Sequence, residues 1–509
     1  MAFLAMHLRQ LTSCLVCIFI AGCMAGPNFK PPQAPETDRY TENPMPAKTT
    51  SVPHSGSAGR AQYFINAADI PAQWWRLYHC PELNALIEEG IANSPNLAAA
   101  KARLAEAKQA LRVQIGTLLY PTIQGAFSAQ RSQISGLGFG SDTPASIFNI
   151  YNASVTASYN PDVFGGSRRQ IESYRAQVDY QREELMAAYL TLTSNIVTTA
   201  ITVASLEEQI RTTHQLIQIE EQLLSIIEKQ VRLGGASGEN VFTQQTLLAQ
   251  TRATLPPLEK NLSQQRNALA VLVGSLPSEA YLPHFDLEAL HLPTYLPVSL
   301  PSNLILQRPD VRAAEAQLHQ ASAQIGVATA NLLPQFSLPA SYGYNGSSLG
   351  SLFAEQNLVW SYGIKVTQTI FQGGALIAQR RQTIAAFQAT FAEYQQTVLQ
   401  AYQNVADALR AIDTDAQAFK AQKQAEIAAR GSMNITQKQF HLGGTSFTAL
   451  LNAQQQYQQT VLARIQAQAL RYTDTAALFQ ALGGGWWNNQ SQIDIPLPKI
   501  KVPFMSWGI

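Results

Sequence analysis

The apolar positions of this chain follow two rhythms. From Arg168 to Leu233 there is neither Pro nor Gly, and apolar or aromatic residues return every seven positions: Tyr189, Ile196, Val203, Ile210, Ile217, Leu224 and Val231. A second row runs three residues further on, through Ile171, Val178, Leu185, Leu192, Thr199 and Leu206. Ile377, Ile384, Phe391, Val398, Val405, Ile412 and Phe419 repeat the spacing later in the chain. A seven-residue period held this long predicts a coiled-coil seam with left-handed supercoiling. At 1.5 Å per residue, such a helix is a rod of roughly 100 Å, about three times the hydrocarbon thickness of a bilayer. Shorter helices are predicted over 96–119 and 237–274, and again over 310–332 and 447–482, so that two short helices stacked end to end match one rod. Pro256-Pro257 is expected to kink or break one of them, because proline removes a helix donor and clashes with the preceding turn. The other half has Ile465-Gln466 there, so the halves should differ locally.

The second rhythm has period two. Tyr151, Ala153, Val155, Ala157 and Tyr159 alternate with Asn152, Ser154, Thr156 and Ser158, and upstream Ile123, Gly125, Phe127 and Ala129 alternate with Gln124, Ser128 and Gln130. Phe336, Leu338, Ala340, Tyr342 and Tyr344 form a third such run, and Trp360, Tyr362, Ile364 and Val366 a fourth. Segments of about ten residues, apolar on one face and bounded by aromatics, have the pattern of transmembrane β-strands. Four strands cannot close, and an open edge in lipid leaves backbone groups unpaired. Further copies must complete the barrel, and three would supply twelve strands.

The rhythms recur because the chain is written twice. Pro95–Leu104 matches Pro309–Leu318, Leu118-Leu119-Tyr120-Pro121 matches Leu332-Leu333-Pro334, Val163-Phe164-Gly165-Gly166 matches Ile370-Phe371-Gln372-Gly373-Gly374, and Leu233-Gly234-Gly235 matches Leu442-Gly443-Gly444, at offsets of 207 to 214. Each repeat is a structural half, not a short solenoid unit. The expected organisation is a signal peptide over 1–22, an extended tether over 23–70, repeats over 71–290 and 291–485, and a tail over 486–509. The fold class is mainly α with a small β part: a coiled-coil helical barrel joined to a transmembrane β-barrel that trimerisation completes.

Composition narrows the compartment. The net charge is +1 with 14% charged residues, so nothing points to nucleic acid. No apolar run reaches the length of a membrane-spanning helix. Arg9, an apolar stretch from Leu11 to Ile20 and then Ile20-Ala21-Gly22-Cys23 read as an export signal ending in a lipobox, with cleavage before Cys23 and acylation of its sulfur. Met24 follows, not Asp, so nothing resembles an inner-membrane retention signal. Residues 24 to about 60, rich in Pro, Thr and Ser, have the composition of a tether. Once Cys23 is acylated, Cys80 is the one thiol left, which rules out an internal disulfide framework and leaves it as a small buried hydrophobe.

Gly26-Pro-Asn-Phe-Lys-Pro-Pro32, Trp74-Trp75, Arg308-Pro309-Asp310-Val311-Arg312-Ala-Ala-Glu315, Gln368-Thr-Ile-Phe-Gln-Gly-Gly374 and Leu482-Gly-Gly-Gly-Trp486 together resemble the TolC-like outer-membrane factors, in the lipoprotein branch that serves resistance–nodulation–division efflux pumps. The resemblance spans nearly the whole mature chain. It implies a homotrimer in the outer membrane with a helical tunnel through the periplasm. It also implies a periplasmic adaptor and an inner-membrane pump as partners, outer-membrane lipid around the barrel, no cofactor beyond the lipid on Cys23, and a passive conduit without chemistry.

Gly234-Gly235 and Gly443-Gly444 end the rods where glycine commonly caps a helix, and Ser237 and Ser446 start the next helices. The resemblance places these turns at the periplasmic tip, as adaptor-docking positions. Many relatives carry acidic residues just past the second turn, in a ring at the tunnel mouth; this chain has Ala449 and Asn452 there, which weakens any cation preference. Glu239, past the first turn, is a further constriction candidate or a solvated helix-start residue.

Other classes leave weaker marks. Gly346-Ser-Ser348-Leu-Gly350 matches a nucleophile elbow by letters but lies in a loop between strands, where that motif needs a strand, a sharp turn and a helix. Gly136–Gly140 precedes a strand, which argues against a phosphate cradle. The eight His residues show no metal-ligand spacing. A lipid-anchored periplasmic coiled-coil scaffold would share the heptads but not need the strands. A protein-secretion duct would share the fold.

Overall fold

The computed structural model describes residues 24–135 and 144–488. The signal peptide, Cys23, Gly136–Gly140 and all but the start of the tail lie outside the described residues. The elements, in chain order, are β1 (Tyr63–Asn66), α1 (Pro81–Asn93), α2 (Pro95–Leu119), β2 (Thr122–Ile134), β3 (Ser146–Tyr159), α3 (Gly166–Arg232), α4 (Gly238–Leu272), β4 (Tyr295–Val298), α5 (Pro301–Gln307), α6 (Pro309–Ala330), β5 (Gln335–Gly346), β6 (Leu358–Tyr362), β7 (Lys365–Thr367), α7 (Ala375–His441) and α8 (Phe447–Ala481). The two rods, α3 and α7, hold 67 residues each, and α4 and α8 hold 35 each. The sequence halves are not spatial units. The chain divides into one compact unit of the N-terminal segment to Pro32 with Arg103–Arg182 and Ala313–Gln395, and a second of Gln33–Ala102, Glu183–Arg312 and the chain from Gln396 on. Each repeat contributes to both.

In the first unit the strands form a sheet in the order β2-β3-β5-β6, with β7 also on β5. All neighbours are antiparallel, and the registers bring the period-two faces into phase. Ala153 lies between Phe127 and Tyr344, Val155 between Gly125 and Tyr342, and Ala157 between Ile123 and Ala340, while Asn152, Ser154 and Thr156 share the other face with Asn345, Gly343 and Ser341. β6 and β7 keep a single register against β5, with Tyr362 opposite Ala340 and Lys365 opposite Ser337. They are one strand interrupted opposite Pro339, which has no N–H to give to the ladder.

The N-terminal segment of this unit is extended, but it is not a free tether. Arg169, only 2% exposed, donates from Nε to Ala25 O (3.1 Å) and from Nη2 to Asn28 Oδ1 (2.7 Å). Its Nη1 meets Glu172 Oε2 at 2.7 Å, and His319, 2.9 Å from Glu172 Oε1, stacks on Phe29 with centroids 4.4 Å apart. The segment fits because a side chain on Gly326 would strike Ala25 O and the Arg169 stem.

The second unit is built around Trp74 and Trp75, both almost fully buried, with Trp74 stacked on Phe479 at 5.2 Å. Tyr78 donates to Tyr472 O at 2.8 Å, and Tyr472 in turn to Leu290 O at 3.0 Å. β1 and β4 pair in parallel, Tyr63 opposite Tyr295, and Gln62, buried beside them, bonds Thr475 at 3.0 Å. Residues expected to lie in the tether therefore help to build this core. Cys80 is buried and free, and burial pushes its thiol up to about 11.

One helix expectation changes. α4 runs unbroken through Pro256 and Pro257, equal in length to α8. The prolines sit on the exposed side, with Arg252 and Ala253 also exposed, so the carbonyls that lose their helix donors face water instead of a core. The seam of α3 is apolar enough that one 18-residue window reaches a mean hydropathy of 1.3, but half of that window is buried inside the protein.

Candidate functional site

The two helix reversals at the ends of α3 and α7 share one geometry. Gly235 N–H donates to Gln230 O (2.8 Å) and Gly234 N–H to Val231 O (3.0 Å); Gly444 N–H donates to Gln439 O (2.8 Å) and Gly443 N–H to Phe440 O (3.0 Å). This is the Schellman pattern. Gly234 and Gly443 take φ of 77° and 75°, the left-handed conformation that favours glycine. A Cβ on either would meet nothing within 4 Å, so the requirement there is one of conformation and not of space. Gly235 and Gly444 have no such φ, and their Cβ positions meet nothing closer than 3.6 Å. The fold does not demand glycine at these two.

Ser446 caps α8, its Oγ accepting the Ala449 N–H at 3.2 Å. Ser237 occupies the corresponding position before α4 in extended conformation but makes no side-chain cap. Both serines stand at the start of their helices, and Ser446 alone of the two adds a side-chain cap. Glu239 is exposed in the first turn of α4, where a carboxylate complements the helix dipole. Ala449 is half-buried and Asn452 exposed. A common apolar core of Leu223, Ile227, Phe447 and Leu450, with Val231, Val241 and Phe440 packed on it, ties the two reversals together. Sequence reasoning passed over Leu233 and Leu442. They are the last residues before the glycines, and they stand 86% and 87% exposed. Matched leucines at the same step of both repeats were the available signal.

Above that core lies a polar cluster. Glu220 on α3 is 3% exposed and accepts a hydrogen bond from Thr251 Oγ1 of α4 at 2.9 Å. Thr251 Oγ1 accepts in turn from Gln458 Nε2 of α8 at 3.3 Å. Glu220 Oε2 has no partner, and burial, opposed by the Thr251 bond, pushes the carboxyl up to about 7. The exposed neighbour Glu221 is paired with Arg252 at 2.6 Å.

Nothing in the described residues assembles a catalytic constellation. β5 ends at Gly346, and a short 3-10 turn, Leu349–Ser351, follows where an elbow would need a helix; the exposed Ser348 Oγ bonds Ser351 Oγ at 2.7 Å. Among the described residues no group of three or more His, Cys, Asp or Glu could hold a metal ion. A cavity of about 400 Å³ beside the start of α3 is lined by Asp162, but both carboxylate oxygens already accept backbone N–H groups of Ser167 and Arg168.

A family model described as outer membrane efflux protein matches residues 86–275 and again 300–484. This chain belongs to that family. The two matches coincide with the two repeats, and the protein is an outer-membrane efflux channel. The pyoverdine export outer membrane protein OpmQ of Pseudomonas aeruginosa is 28% identical over 441 residues, covering 85% of this chain and 90% of its own length. The toluene efflux pump outer membrane protein TtgC of Pseudomonas putida is 26% identical over 501 residues, 96% of this chain and 99% of its own. The probable outer membrane lipoprotein SilC of Salmonella typhimurium is 25% identical over 94% of this chain and 99% of its own. The outer-membrane channel OprN has the same fold, with a TM-score of 0.82 over 91% of this chain and all of its own at 24% identity. The outer membrane protein VceC of Vibrio cholerae superposes with a TM-score of 0.76 at 27% identity, covering 82% of this chain and all of its own.

Proposed function

We propose that three copies close a twelve-stranded barrel in the outer membrane, continued by a helical tunnel, and that this duct passively conducts small organic molecules delivered by an inner-membrane pump through a periplasmic adaptor. The observation that carries the reading is the sheet. Its strands hold one apolar and one polar face in register, and its outer strands, β2 and β6–β7, have no partner on their outer sides among the described residues. A sheet of this kind is stable in lipid only when closed. The cargo class follows from the relatives, one named for pyoverdine export and another for toluene efflux. Adaptor docking at the Gly234-Gly235 and Gly443-Gly444 turns is favoured by the exposed Leu233 and Leu442 and by Gly235 and Gly444, which the fold does not need. The duct performs no chemistry.

The N-terminal anchor fits the same picture. Met24 lies against Gly165 and Ala25 N–H bonds Phe164 O at 2.9 Å, at the junction where β3 passes into α3. Labelled palmitate is expected in the natural protein and absent from Cys23→Ser; equal incorporation in both overturns the anchor.

Single-channel recording in planar bilayers tests the duct. The purified mature protein is expected to give discrete conductance steps. A protein that binds the bilayer without conducting is a scaffold, and the reading fails.

A further inference from the structure

The polar face of the sheet carries a single charged residue. Opposed residues of an antiparallel ladder point to the same side, so the registers assign every strand residue to a face. Gln124, Thr156, Ser341 and Ser361 form one row across β2, β3, β5 and β6. β7 keeps that phase, which puts Lys365, opposite Ser337, on the same face. The strands of this sheet contain neither Asp nor Glu. Their other cation, Arg131, opposes Asn149 and falls on the apolar face with Phe127. It sits toward the end of β2 far from the helices, where a long side chain can carry its charge to the headgroups.

Lys365 stands at the opposite end of the sheet, on the strand that leads into α7 and beside the start of β5. It is exposed, and among the described residues no carboxylate pairs with it. It lines the cavity of about 400 Å³ together with one acid, Asp162. That carboxylate is already engaged: Oδ1 accepts the Ser167 N–H at 3.0 Å, and Oδ2 accepts the Arg168 N–H at 2.8 Å and Arg168 Nε at 3.2 Å. The residues beside Lys365 on its face, Ser337, Ser361 and Thr367, are neutral. Folding asks for no charge here, so the ammonium acts on the water in front of it.

We infer that Lys365 is the charge-selecting residue of the membrane section: repeated around the lumen, it forms a cationic ring at the end of the barrel that adjoins the helices, and it favours anionic cargo, small carboxylates and phosphates, over cations of the same size. This rests on the duct proposed above, in which the polar face lines the water. A ring of like charges sets such a preference, and with no carboxylate on the strands nothing on this wall offsets it. Low-dielectric walls strengthen the field, and salt weakens it. The Debye length falls from roughly 30 Å at 0.01 M to about 10 Å at 0.1 M, so the preference is largest in dilute salt.

Reversal potentials of the full lipidated protein in planar bilayers, under a gradient of dilute potassium chloride, test it. The natural protein is expected to show the sign of chloride preference, and Lys365→Cys to lose it. Cys80 is buried, so a water-soluble methanethiosulfonate addresses the new thiol. A trimethylammonium reagent should restore the chloride sign, and a sulfonate reagent should reverse it. Val366→Cys, on the apolar face, should respond to neither. Lys365→Gln makes the neutral comparison without a thiol. Channels that conduct with one reversal potential in the natural protein, both neutral variants and both adducts overturn the ring and leave the duct standing. A potassium sign in the natural protein, or a Lys365→Cys that takes up neither reagent, does the same. Absence of conductance in the natural protein overturns the duct and the ring together.

Discussion

Glu220→Gln offers the sharpest test of how the lower helices are held together. The Glu220 carboxyl has an ordinary value of 4.5 and is pushed up to about 7 by burial, with Thr251 as its hydrogen-bond donor and no cation bonded to it. The folded protein therefore keeps the proton over a range in which the unfolded chain has lost it. The neutral carboxyl contributes its full stability below the unfolded value, and that contribution is lost as pH rises from 4.5 toward 7. The gap corresponds to at most about 3 kcal/mol. Allowing for solvent screening leaves about 1–3 kcal/mol. Global unfolding of a membrane assembly is poorly reversible, so local opening is the better measure. Hydrogen exchange over residues 216–224 and 247–255, corrected for the intrinsic pH dependence, is expected to lose roughly 5- to 100-fold protection between pH 5 and pH 8.5 in the natural protein. Gln at 220 stays neutral and still accepts the Thr251 bond, so protection should become level across that range. An equal pH-dependent loss in the Glu220→Gln protein refutes the assignment.

Replacing Gly443 and Gly444 by Val is expected to abolish drug resistance conferred in an efflux-deficient host while the assembly in detergent keeps its size. Gly443 alone carries a backbone penalty of roughly 1–2 kcal/mol for its left-handed conformation, so Gly444→Val, at a position free of that strain, isolates docking. Unchanged resistance in Gly444→Val and in the double variant counts against docking at this turn. Val155→Arg places a charge on the apolar sheet face and is expected to cost about 2–4 kcal/mol if the residue sits near mid-membrane. Lowered thermal resistance of the assembly on semi-native gels checks it, and Thr156→Arg on the opposite face serves as the tolerated control.

Most of the architecture was legible because it is periodic. The seam rows of α3 and α7 and the two-faced strands repeat every seven or two residues; the sheet register follows the period of two, and the α7 row is buried from Val398 to Phe419 but exposed at Ile377 and Phe391. What was missed has no period. The N-terminal segment is held by backbone acceptors at Ala25 and Gly26 and by clearance at Gly326, features that composition does not encode. The β1–β4 pair joins segments more than two hundred residues apart. Pro256-Pro257 did not break α4, because the effect of proline in a helix depends on whether the orphaned carbonyls meet water. Glu220 could have been found. It continues the second seam row, seven residues after Thr213 and seven before Ile227, and a carboxylate in a seam is a burial conflict visible in the letters alone. At the tip, the glycines were readable, but which glycine of each pair the backbone needs required φ.

Unpaired borders on the sheet also dictate an order of events in biogenesis. A solitary copy can complete its long helices and its Trp74–Trp75 core, yet it has no way to satisfy the outer backbone groups of β2 and β6–β7 in hydrocarbon. In the assembly proposed above, bilayer entry must therefore wait for encounter with sister chains, and its rate should climb steeply with their surface density. The acyl chain proposed on Cys23 would confine each newcomer to one leaflet and turn that encounter from a search through a volume into a search across a plane.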